Sequence, residues 1–210
     1  MRRGTDGAAM LEGTVLLDFP EPLEPTTAVR STLITSSLAS LREHKLFERY
    51  DALQRSPHRD TILNCVAGEW LDLEVASAHY RACDALGLTR DEQIAIGKAV
   101  SKRIHETFLR MIVTAARGVG ITPWVLLRRG DSLQARLNRG GGIRLIRLAE
   151  RVARVEIARS PLLEITYFRH ALLGMYAAGV ELLATDVTVR LVHAESLRPG
   201  DLTVLRIEWG

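Results

Sequence analysis

His79 and Cys83 stand four residues apart, a spacing that puts both side chains on one face of a helix. There an imidazole and a thiol can share a soft metal ion, with Cys65 as a third donor. The same stripe carries Val75, Ala82 and Leu86, and a cysteine in such company packs as a small hydrophobe. A structural zinc site also asks for four ligands. Packing is therefore the preferred reading of His79, Cys83 and Cys65, and no metal or other cofactor is expected.

Gly140-Gly141-Gly142 offers a second kind of chemistry, because bare backbone N–H groups beside the guanidinium forks of Arg136, Arg139 and Arg144 can hold a phosphate. A flexible hinge is the preferred reading of the glycine run. With Arg128, Arg129 and Arg147, these arginines form the candidate anion-binding set. Other patterns fail on their own terms. His105-Glu106 lacks the spacing and the following cysteines of a deaminase. Gly118-x-Gly120 lacks the third glycine and the preceding strand of a dinucleotide fold. His58-Arg59-Asp60 has no glycine-rich loop or strand lysine to accompany it, and no Gly-x-Ser-x-Gly elbow occurs. These misses favour a non-catalytic protein.

The whole chain narrows the classes further. Its 210 residues, 47% hydrophobic and 25% charged, suffice for a real core and exclude wholesale disorder. Two cysteines cannot build a disulfide scaffold, and the opening MRRGTDGAAMLEG has no apolar run of the secretory kind, so a cytoplasmic protein is expected. The stretch from Ala171 to Ala184 is interrupted by Glu181 and falls short of the roughly 20 residues that span a bilayer. Charge is uneven: residues 1–108 hold 13 basic and 16 acidic side chains, 109–160 hold 11 and 3, and 161–210 hold 4 and 6. The basic middle block can mark an acidic partner. Aromatic residues make up only 5% and do not interleave with the arginines, which disfavours a stacking platform for nucleic acid.

The elements that must position these residues are readable in outline. Gly13–Phe19 reads as a short strand or extended lead-in, and Pro20, Pro22 and Pro25 forbid regular structure after it. Val29, Leu33, Ser37 and Leu41 predict a helix from Thr27 to about Lys45, and Asp60–Ala67 and Asp72–Gly87 predict two more. Thr89 and Glu92 form a capping box before a long helix, and Thr122-Pro123 restarts a helix that should run to Leu137. Ile143–Leu148 and Val152–Ala158 fit two strands, with Ile143, Leu145, Ala153, Val155 and Ile157 facing inward, or one amphipathic helix. Their β-branched residues favour strands. A helix from Ile165 to Ala184 and strands at Asp186–Ala194 and Leu202–Trp209 complete a ββαββ tail. The expected fold is thus α+β. A loose stretch over 1–12 precedes a mainly helical part over 13–139 and a small antiparallel ββαββ part over 143–210, the last two forming one compact domain.

The opening Gly13-Thr14-Val15, the Tyr167-Phe168-Arg169-His170-Ala171-Leu172-Leu173-Gly174 helix after a strand, and the closing Ile207-Glu208-Trp209 carry a resemblance. In these the chain resembles a paralogous bacterial family of the myxobacterial type. That family is in turn similar in outline to the haem-NO-binding and four-vinyl-reductase-like ligand-binding superfamily. The resemblance implies a helical bundle against a small sheet, used to bind an apolar ligand or a partner. Haem-binding relatives use an axial histidine and a Tyr-x-Ser-x-Arg clamp. The clamp does not occur here, and Tyr167-Phe168-Arg169 has a different spacing. Vinyl-reductase-like relatives carry a cysteine near the C-terminus, and none follows Cys83. The resemblance therefore implies the fold without a haem or metal role.

Two expectations follow. In the first, the chain is a non-catalytic regulatory or sensory domain. It binds a small apolar ligand between the helices and the sheet, in a pocket lined by Ile104, Phe108, Met111, Leu172 and Tyr176, or binds a protein partner, a second copy included. The alternative is an adaptor for phosphate, nucleic acid or an acidic protein through the basic 109–160 block.

Overall fold

The computed structural model describes residues 13–116, 122–192 and 202–210, with the backbone alone for 105–116. The chain opens with β1 (Thr14–Leu17), followed by an irregular stretch through the three prolines. Residues read as the start of a helix form instead a three-residue strand, β2 (Ala28–Arg30), and α1 begins at Ser31 and ends at Glu43. Helices α2 (Phe47–Leu53) and α3 (Arg59–Asn64) lead to another unexpected strand, β3 (Trp70–Asp72), which runs directly into α4 (Leu73–Asp84). The capping box is present before α5 (Arg90–Ala116): Thr89 N–H donates to Glu92 Oε2 at 2.7 Å and Glu92 N–H to Thr89 Oγ1 at 3.3 Å. The single helix expected after Thr122 is two, α6 (Pro123–Leu127) and α7 (Gly130–Leu137), joined at Arg128 and Arg129.

The remainder is β4 (Asn138–Arg139), β5 (Gly142–Ala149), β6 (Val152–Ala158), a 3-10 turn at Pro161–Glu164, α8 (Thr166–Val180), β7 (Thr188–Val192) and β8 (Leu202–Glu208). The strand reading of 143–158 is correct, and the register pairs Ile143 with Ile157 and Leu145 with Val155. All pairings are antiparallel, in the order β1-β5-β6-β8-β7, so the N-terminal strand adds a fifth member to the ββαββ tail. The short strands form a second sheet in the order β3-β2-β4.

Packing explains the layering. One apolar cluster sits among α1 to α5, built on Ile34, Leu41, Tyr50, Ile62 and Ile96. The other covers the inner face of the five-stranded sheet with Leu145, Val155, Leu205 and Ile207. Helix α8 lies between them, giving Tyr167 and Ala171 to the first and Leu173 and Val180 to the second. It crosses α5 at two glycines. A Cβ on Gly97 would stand 2.0 Å from the Ala171 carbonyl oxygen, and one on Gly174 would stand 2.0 Å from that of Ile94. Among the described residues no helix is long and apolar enough to cross a membrane.

The glycine run is not a hinge. Gly140 and Gly141 have φ of +80° and +69°, the left-handed region that favours glycine. A Cβ on Gly140 would meet the Pro25 carbonyl oxygen at 2.0 Å, and Gly141 N–H donates to Glu24 O at 2.7 Å. The run threads a close-packed corner under the proline segment. At Gly141 the N–H that a phosphate would need is already committed.

Candidate ligand-binding site

A cavity of about 120 Å³ opens where α8 spans from the helices to the sheet. Its floor is the inward face of β5 and β6: Ile143, Leu145, Val155 and Ile157. Helix α8 supplies Phe168, Leu172, Met175, Tyr176, Gly179 and Val180, in the 3–4 rhythm that keeps one face of a helix on one partner. The third wall runs across the α6–α7 break through Leu126, Leu127, Gly130, Leu133, Gln134 and Leu137, and Leu33 of α1 closes the remainder. Among the described residues, side-chain polarity in the lining is confined to Gln134, Asn138, Ser160 and Tyr176. Gln134 and Asn138 are bonded to each other, Asn138 Nδ2 donating to Gln134 Oε1 at 3.0 Å. Burial alone pushes the Tyr176 phenol well up, so it stays protonated.

Of the five residues expected to line a pocket, Leu172 and Tyr176 do so. Ile104 packs instead against the helical cluster, and the side chains of Phe108 and Met111 lie outside the described residues. Sequence reasoning misses the α6–α7 wall. Its signal is the apolar spacing Leu126, Gly130, Leu133, Leu137, which continues across the break.

The candidate anion-binding arginines do not converge. Arg144 and Arg147 point to opposite faces of β5. Arg144 Nε donates to Asp18 Oδ1 at 2.7 Å and Nη1 to Glu156 Oε2 at 3.4 Å, whereas Arg147 lies over the Trp124 ring at 5.3 Å. Arg139 and Arg30 stack on Trp70 at 4.5 and 4.1 Å, with the Arg136 carbonyl accepting from Arg30 Nε. Arg128 and Arg129 are exposed at the α6–α7 junction.

His79 is fully buried with both ring nitrogens engaged: Nδ1 pairs with the Tyr50 hydroxyl at 2.7 Å and Nε2 with Ser37 Oγ at 3.0 Å. Desolvation lowers its pKa to about 3, so the ring is neutral. Cys83 Sγ stands 3.7 Å from His79 Nε2, and burial pushes this thiol far up, away from the thiolate a metal prefers. Cys65 donates to the Ile62 carbonyl at 3.3 Å. Among the described residues no group of three His, Cys, Asp or Glu side chains is placed to hold a metal ion. The network ties α1, α2 and α4 together.

The cavity that the described residues form does not fit a haem. Ligand pockets for larger organic molecules run to about 300–1,000 Å³, well above the volume here. Met175 and Tyr176 belong to the iron-ligating repertoire, yet no histidine or cysteine and no lysine or arginine for the propionates lines the cavity among the described residues. Arg169 is spent locally, donating to Leu163 O at 2.6 Å and Thr166 Oγ1 at 3.1 Å.

No family model and no curated protein sequence matches the chain. Solved structures do. The Fe(II) unliganded H-NOX protein from K. algicida superposes with a TM-score of 0.64 at 10% identity, over 86% of this chain and 96% of that one. An oxygen-binding H-NOX domain related to soluble guanylate cyclases gives 0.58 at 14% identity, over 86% and 94%. The identities are too low to carry more than architecture, and that architecture is an α+β fold of the H-NOX kind.

Proposed function

We propose that this chain is a non-catalytic sensory or regulatory domain that takes a small apolar ligand between α8, the α6–α7 wall and the five-stranded sheet. The observation that carries this reading is a cavity that, among the described residues, is walled by aliphatic and aromatic side chains with polar groups at four positions. Such a lining rewards an apolar guest by removing its surface from water, at about 25 cal/mol per Å². Its size suits a single aromatic ring or a short alkyl chain, since a dry engineered cavity of about 150 Å³ accepts benzene. The fold is in keeping with ligand holding, because one solved structure that shares it is an oxygen-binding domain. Arg139, Arg144 and Arg147 do not favour the adaptor reading, being divided among separate partners.

Native mass spectrometry with an ultraviolet–visible spectrum tests the proposal. A stoichiometric organic adduct without a Soret band, displaced by benzene or toluene, is the expected result. A Soret band, or an adduct that aromatic probes leave in place, overturns it.

A further inference from the structure

The far side of the five-stranded sheet carries a row of like charges. Arg154 of β6 stands directly opposite Arg206 of β8, which stands directly opposite Arg190 of β7. Like charges in facing positions destabilise a sheet, so the row must be offset. On the β6 side, Arg154 and Arg144 pair with Glu156, whose side chain is buried. Among the described residues, compensation on the β7 side is thinner. One oxygen, Glu208 Oε1, accepts from both Arg206 Nε at 2.5 Å and Arg190 Nη2 at 3.0 Å. Arg190 is the most open of the three, with 56% of its side chain exposed.

Arg190 is also the middle residue of the strand that ends the sheet. Among the described residues, no backbone hydrogen bond reaches Thr188–Val192 other than those from β8. We propose that β7 receives an extended acidic segment of a partner protein as a sixth strand. Added strands gain affinity from main-chain hydrogen bonds and specificity from alternate side chains. A carboxylate opposite Arg190 would supply the anion that Glu208 has to share. The residues flanking it would be apolar, because they would cover Val189 and Leu191, which are half-buried on the cavity side of the sheet. The recognised pattern is thus apolar–acidic–apolar. A second copy of this chain is the poorer occupant: twofold antiparallel pairing about the strand centre would set Arg190 against its own copy and lengthen the cationic row.

The test is amide chemical-shift mapping of the chain with two synthetic peptides that differ only in a central valine–glutamate–valine or valine–lysine–valine. The expected result is shifts confined to β7 and adjoining β8, with the glutamate peptide binding about two- to thirty-fold tighter, as one cross-strand charge reversal allows. Arg190→Glu should invert that preference, and Arg190→Gln should abolish it should the first variant fold poorly. No binding, equal binding of the two peptides, or shifts on another face overturns the proposal. So does concentration-dependent dimerisation through β7 in the absence of peptide, which would make the second copy the occupant. Cavity ligands act on the other face of the sheet, so neither result depends on them.

Discussion

Val155 projects from β6 into the cavity and is 2% exposed, which makes Val155→Phe the direct test of an apolar site. An enclosed void costs about 24 cal/mol per Å³, and because this cavity is partly open to solvent that figure sets only a ceiling. For about 120 Å³ this gives an upper bound of about 2.9 kcal/mol that a well-fitting guest can recover. By mass action, a ligand present at about 100 times its Kd stabilises the folded state by about 2.7 kcal/mol. With Tm moving about 2–4 °C per kcal/mol in a domain of this size, the wild type should melt about 5–11 °C higher in saturating benzene or toluene. Val155→Phe puts a ring where the guest would sit. Its own Tm should change little, because void filling and the roughly 1–3 kcal/mol cost of overpacking oppose each other. Its benzene-induced shift should fall below about 1 °C, a stabilisation under about 0.5 kcal/mol. Differential scanning fluorimetry across a ligand series measures all of this. Equal shifts in wild type and variant, or a wild type indifferent to every apolar probe, would refute the assignment of the cavity as the binding site.

Other predictions concern the scaffold. Gly97→Ala and Gly174→Ala each drive a methyl group into a backbone carbonyl across the α5–α8 crossing, and each should cost about 3 kcal/mol or more in urea melts. Because both act on one contact, the double variant should lose less than the sum. Gly140→Ala meets the Pro25 carbonyl at a positive φ and should also cost about 3 kcal/mol, whereas a mobile hinge would tolerate it. His79 is held neutral in the fold with its pKa near 3, below its unfolded value. The unfolded chain therefore gains the proton first as pH falls below about 6.5, and stability declines by up to about 1.4 kcal/mol per unit. His79→Gln should remove about 2 kcal/mol of the difference between pH 7 and pH 5, as read from urea midpoints. The depressed carboxyls of Asp18, Glu92 and Glu208 add their loss only at lower pH, as they protonate.

How far the sequence discloses such a fold depends on how much chain each element gives to its period. Val152–Ala158 alternates over seven residues with β-branched side chains at 152, 155 and 157, enough to decide strand over helix, and the inward set Ala153, Val155, Ile157 is the one that joins the apolar cluster of the sheet. Strands β2, β3 and β4 have three, three and two residues. No alternation can show in so short a run, and Ala28–Arg30 merges in the sequence with the helix it precedes. The Arg128–Arg129 break in the α6–α7 helix has no proline or capping side chain to announce it, only Gly130 on its far side. At Gly140 the sequence shows freedom, and the structure uses that freedom to bring two backbones together.

The cavity is harder to read for a different reason: its residues are chemically core residues. Leu145 and Val155 are fully buried members of the sheet cluster and also face the void. An apolar stripe says that a face is covered, not whether the cover fits to the last methylene. That difference lies where α6 ends and α7 begins, at the Arg128–Arg129 break that the cavity wall crosses. The tight Gly97–Gly174 crossing fixes α8 from its other side, so it cannot settle onto β5 and β6 without pulling away from α5. The void is thus maintained by two features on opposite faces of one helix. Relaxing either, by joining α6 to α7 or by loosening the glycine crossing, should collapse it before the fold is lost.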